Sequence, residues 1–115
     1  MVTNFGNDVT LAPAGTVVTA TGTGSVVLEP INKGNLRALL DVTALSGTTP
    51  SLTVTVETSY DKGVTDAWHS AGAFTAATTV SKQRKIIPID RYVRISYVVS
   101  GTTPSITFGV FGETV

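Results

Sequence analysis

One short motif occurs twice in this chain, and it constrains the fold more than any other feature. Ser46-Gly47-Thr48-Thr49-Pro50-Ser51-Leu52-Thr53 returns as Ser100-Gly101-Thr102-Thr103-Pro104-Ser105-Ile106-Thr107. Arg91 to Val99, before the second copy, is rich in β-branched and aromatic residues and reads as a strand. The segment before the first copy, Leu36 to Leu45, is ambiguous. Leu36, Leu39, Leu40 and Ala44 would form a helical stripe, whereas Leu36, Ala38, Leu40, Val42 and Ala44 would form one face of a strand. The repeat decides for the strand. After each copy, apolar side chains alternate cleanly, as Leu52, Val54, Val56 and as Ile106, Phe108, Val110. The repeating unit is therefore strand, Gly-Thr-Thr-Pro turn, strand. Gly supplies a positive φ and Pro suits the first position of a strand. The inward register of the two copies differs by one, with Ala44 inward in one and Val99 in the other, which a β-bulge would reconcile.

Composition extends this reading to the whole chain. Thr occurs 20 times and Val 16 times, and 11 Gly and 5 Pro punctuate short segments. Stiff β-branched side chains fit a pleated surface, and many short strands with Gly/Pro turns indicate a sandwich or barrel. Strands are expected at 16–20, 25–29, 36–45, 52–57, 68–75, 82–89, 91–99 and 106–110, eight in all, the number of a jelly roll. At 115 residues one core suffices. The expected organisation is an N-terminal arm over 1–13 and a single all-β sandwich domain of jelly-roll type over 14–115. The arm has no period of its own, but Val2, Phe5, Val9 and Leu11 give it apolar anchors for a neighbouring surface.

Several classes of function are disfavoured. The chain has no Cys and one His, which removes thiolate chemistry, Cys-ligated zinc and multi-His sites within one chain. No apolar run approaches the length of a membrane span, and no basic start precedes an apolar core, so neither a membrane helix nor a signal peptide is expected. Net charge is zero, which argues against nucleic acid. Asp41 and Glu57 could approach one another on neighbouring strands, but Glu57 should face solvent. Asp61 to Asp66 lacks the ligand density of a calcium loop. No nucleophile elbow, phosphate loop or dinucleotide fingerprint is present. The expectation is a chain without catalytic residues, metal or cofactor.

Two candidate contact surfaces remain. Lys82, Arg84, Lys85, Arg91 and Arg94 supply five of eight basic residues within one short stretch opposed only by Asp90. Such a stripe could dock on an acidic partner or guard a sheet edge. Trp68, beside His69, and Tyr60 could stack a sugar; a buried Trp closing one end of the sandwich is the competing reading. A surface this poor in charge (14% of residues) also loses few hydrated ions when covered.

Glu57-Thr58-Ser59-Tyr60-Asp61-Lys62-Gly63, Trp68, and Ala71-Gly72-Ala73-Phe74-Thr75 together resemble a pattern in small β-rich structural proteins of tailed phages. So does Ile89-Asp90-Arg91-Tyr92-Val93-Arg94-Ile95 followed by Ser100-Gly101-Thr102-Thr103-Pro104-Ser105. The resemblance covers roughly Leu36 to Glu113. It implies a virion structural protein, with head decoration (cement) the specific expectation and a neck or tail component beside it. The implied partners are the major capsid protein and further copies of the chain, a trimer at three-fold sites being the usual symmetry. Arg91-Tyr92-Val93-Arg94-Ile95 also resembles, more weakly, a strand of discoidin-type jelly rolls, which implies carbohydrate binding as the alternative.

Overall fold

The structure is a computed structural model and describes residues 8–27 and 30–115. The described residues form strands and no helix. Six strands follow in chain order: β1 (Asp8–Val18), β2 (Gly22–Thr23), β3 (Asn35–Ser59), β4 (His69–Ala73), β5 (Ser81–Pro88) and β6 (Tyr92–Thr114). All pair antiparallel. The central path runs β1-β6-β3-β4, with β2 beside β6 and β5 beside β3.

Two strands are far longer than the rest, and their length dictates the shape. At roughly 3.3 Å per residue, the 25 residues of β3 would stretch about 80 Å, yet the longest extent of the molecule is 42 Å. β3 and β6 must therefore fold over, and they do so together. Pairing runs continuously from Leu36↔Thr114 to Ser59↔Tyr92, and the two copies of the repeated motif meet midway: Ser46↔Ser105, Thr48↔Thr102, Ser51↔Ser100. The expected hairpin turns are thus corners. Each Gly-Thr-Thr-Pro segment carries its strand from one layer to the next instead of reversing it. The bend uses left-handed backbone at Gly47, Thr49, Gly101 and Thr103. A Cβ on Gly47 would lie 2.6 Å from the Thr103 carbonyl oxygen, and one on Gly101 would lie 2.8 Å from that of Thr49. The corners are mutual images, each seated on the other.

The result is sandwich-like. A front layer holds β1, the second half of β6, the first half of β3, and β5. A back layer holds β2, the first half of β6, the second half of β3, and β4. The short extent, 19 Å, fits two sheets about 10 Å apart with their outer side chains. One apolar cluster fills the interior. Leu36, Ala38, Leu40, Val42, Phe108 and Val110 come from the front, and Leu52, Val54, Val56, Val93 and Ile95 from the back. Phe108 meets Tyr97 edge-on across the layers, with centroids 6.1 Å apart.

Three expectations change. The register slips between Val42 and Ala44, so the bulge sits at Thr43; beyond it Ala44 points outward and is exposed. The expected arm is, from Asp8 onward, the edge strand β1, paired with β6 from Asp8↔Glu113 to Val18↔Ile106. The second strand is only Gly22–Thr23, within the segment expected to turn, because Gly24 and Val27 follow β6 through single hydrogen bonds to Ile95 and Val93.

Candidate docking surfaces

The alternation that buries Leu36, Ala38 and Leu40 sends Arg37, Leu39 and Asp41 to the outside of the front layer. The same parity turns Phe111 and Glu113 of β6 outward, and Lys82, Arg84 and Ile86 of β5. Register then sets rows across the strands. Thr10, Phe111, Leu39 and Arg84 form one; Asp8, Glu113, Arg37 and Ile86 form the next. Between them lies a shallow groove walled by Leu39, Phe111, Arg37, Arg84 and the start of β1. Ile86 is 61% exposed and Val17, further along β1, 57%. Gly109 keeps this face flat: a Cβ there would stand 2.7 Å from the Phe111 ring, so only glycine lets the ring lie down on the sheet. Cations stand on β3 and β5, and carboxylates on β1 and β6, with Asp41 of β3 beside Lys82.

The residues singled out from sequence fall in different places. Val2 and Phe5 lie outside the described residues. Val9 and Leu11 are buried in this chain's own core, 7% and 3% exposed, and so are not anchors for a neighbour. A bulge between Thr10 and Ala12 turns Leu11 and Ala12 inward together. The five basic residues do not form one stripe. Lys82 and Arg84 face outward from β5. Lys85 has the opposite parity, and its Nζ donates to the Ala73 carbonyl 2.8 Å away on the facing layer. Arg94 belongs to the back layer, where β6 pairs with the second half of β3, and Arg91 lies just before β6 in the corner after β5. Asp41 and Glu57 also part, one in each layer.

At the end of the back layer, aromatic and charged side chains interleave. Arg94 donates through Nε to Glu57 Oε1 at 2.8 Å, and its guanidinium lies 4.6 Å from the Trp68 ring. Gly63 stands close to the same ring, since a Cβ there would be 2.8 Å from Trp68 Cδ1. The indole is half-buried and lies outside the apolar core. Tyr60 is 60% exposed, and Arg91 sits over both Tyr60 and Tyr92, 5.3 and 5.6 Å from their centroids.

Two carboxylates and a hydroxyl build the loop carrying these groups. Buried Ser59 donates to the Asp66 carbonyl and accepts from the N–H groups of Asp61 and Gly63. Asp61 accepts from the Thr65 hydroxyl and from the N–H groups of Thr65 and Asp66. The Thr65 hydroxyl foremost, then the Asp66 N–H, hold the Asp61 carboxyl down at about 2. Sequence reasoning did not bring together Asp66, His69 and Asp90, which meet here. Nor did it find the Leu39–Phe111 face, although outward parity along 36–42 and 106–113 was its readable signal.

No protein-family model matches the chain, and no curated relative matches it. Among solved structures the chain is similar to a crystal structure of PirA, with a TM-score of 0.48 and 17% identity over 98% of this chain and 96% of that one.

Proposed function

We propose that this chain is a structural protein of a tailed-phage virion, a head decoration protein that binds the assembled major capsid protein and acts without turnover or cofactor. The motif resemblance between Leu36 and Glu113 supports the class. The observation that carries the docking role is the outer face of the front layer. There Leu39, Phe111 and Ile86 stand exposed or half-exposed on a flat four-stranded surface, framed by Arg37, Arg84 and Lys82. Covering it removes apolar area from water, and Asp8, Arg37, Asp41, Lys82, Arg84 and Glu113 around that area need opposite charges on the partner. Attachment through this face leaves the back layer free for neighbouring copies, and a trimer is the proposed oligomer.

The fold is read more finely as a jelly roll. Counting each bent strand as two gives eight strands. The front order β1, late β6, early β3, β5 and the back order β2, early β6, late β3, β4 support two interlocked Greek keys.

The test is co-sedimentation with undecorated capsids across a salt series. The intact chain should bind. Leu39→Glu with Phe111→Glu should abolish binding while leaving the far-UV circular dichroism unchanged. Lys82→Glu with Arg84→Glu should slow binding most at low salt. An intact chain that leaves capsids bare would overturn the proposal, and a response of Tyr60 and Trp68 to glycans would put carbohydrate binding in its place.

A further inference from the structure

We propose that Asp66, His69 and Asp90 form a binding site for a divalent cation of the zinc class. The three residues come from three segments: the loop after β3, the first residue of β4, and the corner between β5 and β6. One ligand atom from each lies within 4.8 Å of the others. His69 Nε2 and Asp90 Oδ2 are 3.4 Å apart. That separation is the edge of a tetrahedron whose centre is about 2.0–2.1 Å from each corner, the usual zinc–nitrogen and zinc–oxygen distances.

The orientation of the imidazole is the second observation. His69 Nδ1 lies 3.2 Å from the Ala67 carbonyl oxygen, which can only accept, so Nδ1 carries the hydrogen. Nε2 is then the nitrogen turned toward the carboxylates. Its lone pair points to the side where the carboxylates stand, and the His69 and Asp90 side chains are open to an ion from solvent, 52% and 42% exposed. An Nδ1–H held by a backbone carbonyl, with Nε2 directed at the metal, is how proteins orient a ligating histidine.

The other two ligands are also held from behind. The Asp66 N–H donates to Asp61 Oδ1 at 3.0 Å, its carbonyl accepts from Ser59 Oγ at 2.6 Å, and its own Oδ2 accepts from the Tyr60 N–H at 2.8 Å. The Asp90 N–H donates to buried Thr58 Oγ1 at 2.7 Å, whose hydroxyl donates to the Tyr92 carbonyl. Two carboxylates and a neutral imidazole offset a dication. Calcium is the poorer occupant, because it seeks six to eight oxygens and here a nitrogen is central. Three protein ligands leave a fourth tetrahedral position for water or for a side chain of a partner. A bound ion would clasp the loop, β4 and the β5–β6 corner together.

The chain has a single histidine, so imidazole nitrogen resonances report this site without assignment. The experiment titrates zinc into chelator-treated, untagged protein, followed by nitrogen-15 NMR and by calorimetry. Expected are one ion per chain, a large shift of Nε2, and a proton retained on Nδ1. His69→Ala should remove the binding. Asp66→Asn with Asp90→Asn should weaken it by roughly tenfold or more, and calcium in excess should not displace zinc. Three outcomes would overturn the proposal. Zinc could leave the imidazole unmoved. Nδ1 could be the nitrogen that shifts. Or affinity could be the same without the two carboxylates, as for a lone surface histidine. Circular dichroism of each variant guards against loss of the fold.

Discussion

Replacing Gly47 by alanine tests the corner directly, with Gly15→Ala as its internal standard. Both glycines have positive φ, +105° and +85°. They differ in what a Cβ would meet. Around Gly15 nothing lies within 4 Å, whereas at Gly47 the Thr103 and Thr102 carbonyl oxygens lie at 2.6 and 2.8 Å and Pro104 Cα at 3.0 Å. An L-residue in left-handed backbone costs about 1–2 kcal/mol. Alanine returns about 0.4–1 kcal/mol by restricting the unfolded chain. Gly15→Ala should therefore cost about 1 kcal/mol. Gly47→Ala carries the same balance plus an overpacking cost of about 1–3 kcal/mol, because the obstructing atoms are backbone of the opposite corner and cannot rotate away. The expected loss is about 2–4 kcal/mol, a large part of the roughly 5–15 kcal/mol that holds a domain together. Gly101→Ala should match it, since its Cβ would meet Thr49 and Thr48 in the same way. Urea unfolding with the slope held common measures all three. A Gly47→Ala loss no larger than that of Gly15→Ala would refute the seated-corner geometry.

Further expectations follow from other parts of the structure. Thr49 and Thr103 place β-branched side chains at φ of 48° and 46°, so Thr103→Asn should raise stability by about 0.5–1 kcal/mol, read as a higher unfolding midpoint. Phe108 is fully buried, and Phe108→Ala should cost about 3–5 kcal/mol in the same assay; a loss below about 1 kcal/mol would mean the ring is not packed as described. Asp61 is held at about 2, below its ordinary 3.8. Its contribution is present in full above the ordinary value and is lost as pH falls through the folded one. The stability gap between the native chain and Asp61→Asn should therefore close between about pH 4 and pH 2, and a gap unchanged at pH 2 would contradict the bonding around that carboxylate.

The core was legible residue by residue. Alternation alone marks Leu52, Val54, Val56, Ile106, Phe108 and Val110, and all six are buried. What alternation could not place was the bulge, which is why Ala44 and not Leu45 was expected inside. The corners were misread because a turn and a corner ask for the same local chemistry, a positive-φ residue followed by proline. Only the pairing partner tells them apart, and here each motif's partner is the other copy, 54 residues away in sequence. Lys85 was grouped with Arg84 by adjacency, whereas strand parity sends neighbouring side chains to opposite faces. Asp66, His69 and Asp90 were each noticed singly. Their meeting depends on the loop, β4 and the β5–β6 corner closing on one another, and no sequence spacing encodes that.

The place of β6 in the sheet has a consequence for the chain as it is made. β6 is the last of these strands in order and an interior one in space, pairing with β1 in the front layer, β2 in the back and β3 in both. Until it emerges from the ribosome, β1 and β2 have no neighbour, and β3 has β5 and β4 along one edge and nothing along the other. This domain cannot fold piecemeal from its start. The nascent chain must wait, its apolar faces bare, and then close in one late event dominated by contacts distant in sequence, a class of reaction that runs in milliseconds to seconds. That interval is the hazardous one, when unpaired strands of neighbouring polysomal chains can find each other. The bulges of β1 and the lysines and arginine of β5 would make both edges of the front layer poor templates during that wait.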